Sequence, residues 1–461
     1  MKKYKLLYDM TKYKRAVFIF RRDYRLYDNH GLIRAYTEAE CVMPIFIFTP
    51  EQVTNNPYLS QRALNFLVES LKELDQELRA RGSRLAVFYG DNVRILRHLD
   101  YDAVFENADH TPYAIQRSEA IAELCAKQKR AYHLVEDVSL YPVLGSAKTY
   151  VKFTPFFRHA KSLPPPARPQ QPKVSAWREK LDGEITGWAT RFFRHGNTEY
   201  VKGGRKNGLV LLRRLAELRQ YQHTRDIPSL STSHLSAHLH FGTLSPREVY
   251  WKIVDLFGKS HLLLQQLFWR EFYMHIIRYK NNNYSKRAVT LPKFNHLGPL
   301  WTIKHLDAWK RGMTGCPIVD AGMRQVLATG WMHNRLRMIV AQFLIFYLRT
   351  HWKHGEQHFS RQLVDIDYCN NLGGWLWCSG QEVHSNAWYR VFSMPLQSKR
   401  YDPDAVYIKT WCPELRDIPP KHLHEWHLHF QDYPKANYPK PIIVDHKARK
   451  AETLAAMRRY F

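Results

Sequence analysis

No two of the six cysteines form a C-x-x-C pair; they are scattered at positions 41, 125, 316, 369, 378 and 412. That spacing argues against a zinc ribbon or a disulfide framework and fits a reducing compartment. A long apolar run is also missing. The most apolar stretch, MIVAQFLIFYL at 338–348, is too short to span a bilayer and reads as a buried core helix. The opening MKKYKLLYDMTKYKR is basic but lacks a long apolar stretch, so no signal peptide is expected. Acidic residues are scarce: 42 Asp and Glu stand against 69 Lys and Arg, a formal charge of +27. Such a field favours a polyanionic partner, nucleic acid or an anionic membrane surface, with solubility as the plainer explanation. No G-x-G-x-x-G follows the first strand-like segment, which removes support for a dinucleotide-binding Rossmann site.

What is present is a globular chain of 461 residues, 45% hydrophobic, with room for two or three domains. AVFIFRRD, VMPIFIFT, RLAVFYGD, DAVFENAD and AYHLVED are apolar runs ending in polar residues. Amphipathic stretches lie between several of them, including SQRALNFLVESLKELDQELRARG at 60–82, with its helical spacing and Gly stop. The alternation predicts an α/β domain with a doubly wound parallel sheet over 14–136. Residues 137–204 read as an interdomain linker crossing the surface, with SLPPPARPQQPK (162–173) extended as polyproline. From 205 to 461 the texture is helical, and a large all-α domain rich in Trp and Tyr is expected. Aromatics mixed with Arg suit stacking on flat rings and holding phosphates; the plainer reading of most Trp is core filling.

Several segments carry polar chemistry. RRDYRLYDNHGL (21–32) reads, taken alone, as a solvated charged loop. RDIPSLSTSHLSAHLHFGTLSPREVY (225–250) is dense in Ser and Thr before a helix start, suited to phosphate or to ordinary capping. KHLHEWHLHF (421–430) holds four His without a known metal-ligand spacing, so no metal is expected. DIDYCNNLGGWLWCSG (365–380) packs Asp365, Asp367, Asn371, Trp375 and Trp377 together.

FRRDYRLYDNHGL, LSAHLHFGTLSPREVY, WREFY, TGCPIVDAGMRQVLATGWMHNRLRM and DIDYCNNLGGWLW occur in order, from about residue 15 to the C-terminus. Together they resemble the photolyase/cryptochrome family, in particular the bacterial class I DNA photolyases acting on cyclobutane pyrimidine dimers. The resemblance implies FAD in the helical domain, a basic groove for UV-damaged DNA and light-driven dimer splitting by electron transfer from reduced FAD. Extrusion of the target base is general to photolyases. It assigns FAD contacts to Tyr221, Thr232, Ser233, His234 (in place of a family Arg), Leu235, Ser236, Arg270, Arg337, Asp365, Ile366, Asp367 and Asn371. Arg337 would pair with Asp365. Asn371 would face flavin N5, where plant cryptochromes carry an acid. Gly373 and Gly374 would let the backbone come close. Trp375, Trp352 and Trp301 would form an electron-hopping chain. DNA contacts fall to Gln266, Trp269, Arg270, Tyr273, Asn334, Arg335, Met338, Trp377 and Gln397. Asn334 and Met338 stand where photolyases for (6-4) photoproducts carry two His.

Three places depart from the pattern. Gln266 replaces a Glu typical of dimer photolyases. Tyr113 stands near an expected acid, and Tyr284 and Ser285 replace a Cys-Lys pair, so a folate antenna is unmatched and a deazaflavin or no antenna stays open. The interval from Trp301 to Trp309 is shorter than in relatives. The rival readings are a cryptochrome-type blue-light photoreceptor that binds FAD without repairing dimers, and a flavin-free nucleic-acid-binding protein. A monomer is expected, off the membrane, in the cytoplasm with the nucleoid, or in the nucleus if eukaryotic.

Overall fold

The computed structural model describes residues 12–141, 150–194, 201–287, 301–380 and 390–458, with the side chains of 279–287 outside that description. Strands β1 (Tyr13–Ile19), β2 (Ala39–Phe48), β3 (Ala86–Tyr89), β4 (Ala103–Asn107) and β5 (Ala131–Val135) form one sheet in the order β3-β2-β1-β4-β5. Every pairing is parallel; Val17 sits beside Met43 on one side and Val104 on the other. Helices α1 (His30–Glu38), α2 (Gln61–Arg79), α3 (Asn92–His98) and α4 (Pro112–Lys127) cover the faces. The inner strands are buried on both sides, which is why they read as continuous apolar runs. Ser60 caps α2 by accepting from the Ala63 N–H, and Leu64, Leu71, Leu74 and Leu78 bury its apolar stripe.

Part of the stretch expected as linker is a helix, α5 (Phe153–Ser162). Its apolar residues Phe153, Phe156, Phe157 and Ala160 follow helical spacing, and three of them pack on α7, below. Residues 163–187, including the proline-rich run, contain neither helix nor strand.

The second half is helical among the described residues. The helices used below are α6 (Pro246–Phe257), α7 (Leu262–Arg287), α8 (Pro317–Thr329), α9 (Asn334–Gln342), α10 (Trp352–Gln362), α11 (Tyr368–Ser379), α12 (Met394–Tyr401) and α13 (His446–Arg458). The apolar run at 338–348 is buried as expected, but α9 gives way to a π-helical turn at Phe343–Tyr347 rather than continuing. Among the described residues no helix is long and apolar enough to cross a membrane.

The charged loop after β1 is not solvated. Arg21, Asp23, Arg25, Asp28 and Asn29 are all buried, because each finds polar partners: Glu106 for Arg21, Asn107 for Asp23 and Asn29, Asp137 for Arg25, and Arg247 of the helical half for Asp28. Arg247 of α6 reaches Asp28 at 2.7 Å and Asp137 at 2.6 Å, and Arg25 reaches Asp137 at 2.7 Å. Arg25 also donates to the Gly242 carbonyl at 3.0 Å. Gly242 has φ +63°, and a Cβ there would stand 2.0 Å from the Arg22 carbonyl oxygen, so the two backbones meet where a side chain has no room.

Candidate functional site

A cavity of about 560 Å³ opens in the helical half. The segment Tyr221–Leu239, α7, residues 331–341 and α11 form most of its wall. Of the residues expected from the resemblance, it gathers Tyr221, Thr232, Ser233, His234, Leu235, Ser236, Gln266, Trp269, Arg270, Tyr273, Asn334, Arg335, Arg337, Met338, Asp365, Ile366, Asp367, Asn371, Trp375 and Trp377. Trp352, Trp301 and Gln397 do not line it.

Helix α11 supplies one wall, and its start is set by Asp367. The Asp367 side chain accepts from the Asn370 N–H at 2.8 Å and so caps the helix. Asn371 and Trp375 are four residues apart and share a face. Trp375 is almost fully buried, whereas Trp377 is half-buried. Two glycines make this wall thin. A Cβ on Gly373 would lie 2.2 Å from Tyr273 Cδ1, so α7 and α11 close on each other there. On the Trp375 side, Gly355 of α10 plays the same part: its Cβ would lie 2.1 Å from Trp375 Cη2.

The carboxylates are held by cations. Arg337 Nη2 donates to both oxygens of Asp365, at 2.8 and 3.1 Å, as the sequence predicts. Asp367 is paired from the other domain: Arg22 Nη2 lies 2.5 Å from Oδ2, while Arg22 Nη1 reaches Asp109 at 3.2 Å. Burial alone would raise the Asp367 pKa, yet Arg22 and His240 hold it well below the usual carboxylate range. On α7, Arg270 pairs with Glu271 at 3.1 Å and donates to the Val138 carbonyl at 2.8 Å.

Burial pushes Glu271 up to about 7 in spite of Arg270 and the Leu140 N–H. An unfolded Glu ionises from its ordinary 4.5, so between that pH and about 7 the folded chain binds the extra proton. Stability should therefore decline as pH rises through this window. Glu271→Gln should flatten that decline, which melting temperatures across the window will check; an unchanged slope would remove Glu271 as its source.

The aromatic groups have unequal surroundings. Trp269 is stacked on Phe153 of α5 at 3.6 Å and 5°, so one of its faces is taken. Trp352, buried, and Trp301 flank the His351 ring, at 5.6 and 5.3 Å. Trp309, which the sequence reading used only as a spacing mark, meets Trp375 edge-on at 6.3 Å and is fully buried. Its indole N–H donates to the Val340 carbonyl at 3.0 Å. Near the rim, the Arg335 guanidinium lies over the Tyr401 ring at 4.4 Å and pairs with Asp226 at 2.7 Å.

The donor set suits a flat, polar, phosphate-bearing ligand. Thr232, Ser233 and Ser236 bring hydroxyls to the cavity wall, which also carries Arg225, a residue with no carboxylate partner among the described residues. A Cβ on Gly374 would meet no atom within 4 Å, so the backbone is open to a ligand there. His333 accepts the Arg335 N–H on Nδ1, and its buried Nε2 has no hydrogen-bond partner. FAD fits these groups: hydroxyls and cations for pyrophosphate and ribose, apolar rings and an amide for the ring system. Tyr113, one of the departures, shares a hydrogen bond with Thr49 Oγ1 at 2.8 Å. The side chains of Tyr284 and Ser285 lie outside the described residues. In the histidine-rich segment, His422 stacks on His429 at 4.0 Å, and His424 bonds Ser398 and the Pro403 carbonyl. Among the described residues no group of three or more His, Cys, Asp or Glu is arranged to hold a metal.

Several contributors were not read from sequence. Arg22 and His240 reach Asp367, Glu356 holds Asn371, and Phe153 backs Trp269. The helical spacing of 153–160 was a usable signal for the last. Nothing in the spacing of Arg22 foretells a partner 345 residues away.

Family models match both halves of the chain: DNA photolyase over residues 16–173, and the FAD binding domain of DNA photolyase over 263–459. The chain is 31% identical to a deoxyribodipyrimidine photo-lyase of Alkalihalophilus pseudofirmus, over 94% of this chain and 95% of that protein. It is 32% identical to that of Escherichia coli, over 95% and 97%. Among solved structures, an archaeal photolyase of Sulfolobus tokodaii with two FAD molecules superposes with a TM-score of 0.86 at 33% identity, covering 96% of this chain and all of that one.

Proposed function

The chain belongs to the DNA photolyase family, and from that membership we propose that it repairs UV-damaged DNA in light by splitting cyclobutane pyrimidine dimers. It works with FAD, as a monomer in the cytoplasm. The observation that carries this reading is the single cavity lined by Asp365, Asp367, Asn371 and Trp375 together with Trp269 and Trp377. When bound, FAD supplies the light-driven electron. The protein's own share is to hold, screen and admit.

Thr232, Ser233, Ser236 and Arg225 would bind the phosphate and ribose end; Asp365, fixed by Arg337, and Asp367, fixed by Arg22, would bind and orient the rings. Asn371 would hold its amide against the ring nitrogen. Trp377 and the free face of Trp269 would stack on the extruded bases. Met338 and Asn334 would shape the pocket, with Gln266 and Tyr273 beside it. Arg335 and the excess of basic residues would hold the phosphate backbone. Gln397 lies on α12 outside the cavity and would meet DNA only beyond its rim.

Gln266 sets a chemical limit. A Gln side chain donates and accepts at any pH but has no proton to give up. Dimer repair should therefore proceed with a yield nearly flat between mildly acidic and mildly alkaline pH. Gln266→Glu should introduce a decline as the carboxylate ionises, and Gln266→Leu should weaken dimer binding by about 1–3 kcal/mol through unpaired polar groups. The deciding measurement is blue-light repair of a defined thymine dimer, in single-stranded and duplex DNA, by the reduced protein. FAD bound with no repair at any pH would place the chain with the photoreceptors; a colourless protein that cannot take up FAD would remove both readings.

A further inference from the structure

Trp269 stands at the end of a column of rings that runs along α5. Phe153, Phe157 and Lys161 are spaced four residues apart and so share one face of that helix. Phe157 lies nearly parallel to Phe153, at 5.4 Å and 13°, and the Lys161 ammonium stands over the Phe157 ring at 5.4 Å. At the other end Phe153 meets Trp269 at 3.6 Å and 5°. Carbon atoms in van der Waals contact stand about 3.5 Å apart, so these two rings overlap with almost no offset. Their quadrupoles disfavour that arrangement, since aromatic pairs prefer an offset or an edge. The surroundings impose it. Phe272 of α7, fully buried, meets both rings edge-on, Phe153 at 5.6 Å and Trp269 at 5.8 Å. Phe156 leans on Phe272 from α5 at 5.4 Å. Both ring planes are braced from the same side.

We infer that Phe153 is a positioning residue for the substrate: it fixes the plane of Trp269, so that the side turned to the cavity is set to receive an extruded pyrimidine before one arrives. This rests on the reading that Trp269 stacks on the dimer. Phe153 does not line the cavity and acts through Trp269, which does. A tryptophan free to turn about its side-chain torsions would have to be arrested by the base that lands on it, at a cost in binding for each side chain immobilised. With Phe153 behind it, that freedom is already lost on folding, and the base meets a fixed plane. Flatness is what counts. An aliphatic side chain of similar bulk fills the gap but defines no plane. The benefit reaches only a flat ligand inside the cavity. Undamaged DNA, whose bases stay stacked in the duplex, is held by its phosphates and is indifferent to Phe153. The segment between the two domains thus contributes to dimer recognition without touching the dimer.

The test uses the full chain, FAD-loaded and reduced, carrying Phe153→Leu or Phe153→Tyr. Affinity is measured for one duplex oligonucleotide with and without a thymine dimer. Leu keeps apolar bulk and loses the ring, and should weaken dimer binding about fivefold. Affinity for undamaged DNA, and the repair yield of each bound dimer, should stay at the parent's values. Tyr keeps the ring and should keep dimer binding. Because Phe153 acts through Trp269, Phe153→Leu should add no further loss in a chain that already carries Trp269→Ala. A role in packing alone gives a different pattern: a lower melting temperature with dimer preference unchanged, equal losses on both DNAs, or losses that add to those of Trp269→Ala. Any of these would overturn the inference. Should the Leu chain fail to fold or to take up FAD, Phe153→Met, which fills the gap with an adaptable unbranched side chain, is read by the same criteria. Dimer preference lost in Trp269→Ala but unmoved by Phe153→Leu would overturn the inference and leave the reading of Trp269 intact. Dimer preference unmoved by Trp269→Ala would overturn that reading, and the inference with it.

Discussion

Arg22→Leu is expected to destabilise the chain by about 3–5 kcal/mol, because it strands two buried carboxylates at once. Asp109 and Asp367 both lose their cation, and the His240 carbonyl and Nδ1 lose their donor. The loss has a pH signature. With Arg22 present the folded pKa of Asp367 is depressed, so its stabilisation is present above the unfolded pKa and lost as pH falls. With Arg22 gone, burial dominates and the folded pKa rises, so the variant's deficit should be full at neutral pH and shrink in acid. Arg22→Lys should recover only part, since one ammonium cannot fork to two carboxylates. Denaturant unfolding across pH will decide. A Leu variant within ~1 kcal/mol of the parent would mean that the pair is no stronger than a surface ion pair.

The second large effect concerns electrons rather than stability. Trp375→Phe should slow photoreduction of oxidised FAD by more than tenfold, because phenylalanine is much harder to oxidise than tryptophan. Chemically pre-reduced variant protein should still repair dimers almost normally. Phe at this site also keeps an aromatic ring against Phe359 and the close approach of Gly355. Transient absorption for the first step and a dark-reduced repair assay for the second separate the two. If pre-reduced protein fails to repair, Trp375 belongs to the substrate pocket or to the core. Trp377→Ala should behave oppositely, with normal photoreduction and dimer binding weakened by roughly 1–3 kcal/mol of lost stacking.

What the sequence made legible follows from where each interaction is encoded. The inner strands could be read because parallel strands covered on both faces leave uninterrupted apolar runs, whereas the edge strand β5, with no residue fully buried, was read from its place in the alternation. Helix α2 could be read because its cap, stripe and stop are all local. The residues at 365–377 drew notice as one dense segment, but their roles came from the family resemblance; the structure brings Asp365, Asp367, Asn371, Trp375 and Trp377 to one cavity. The loop at 21–32 was misread for the opposite reason. Charge density argues for solvent unless partners exist, and the partners of Arg22, Arg25 and Asp28 lie in other elements. Helix α5 was hidden by its neighbour, since the proline run after Ser162 set the reading for the whole stretch. The grip of Glu356 on Asn371 joins two helices and leaves no periodic trace.

The loop after β1 also has a consequence for the order of events in synthesis. A chain emerges from its N-terminus, and domains generally fold as units in that order. The α/β half therefore presents Arg22, Arg25 and Asp28 before α6 and α11 exist. When those helices arrive, Arg247 and Asp367 meet counter-ions already in place. A helical half made alone would carry Asp367 buried beside the cavity without its cation, and α11 would begin on an uncompensated charge. The early-made half thus already carries the charges that the later one needs to close its pocket wall.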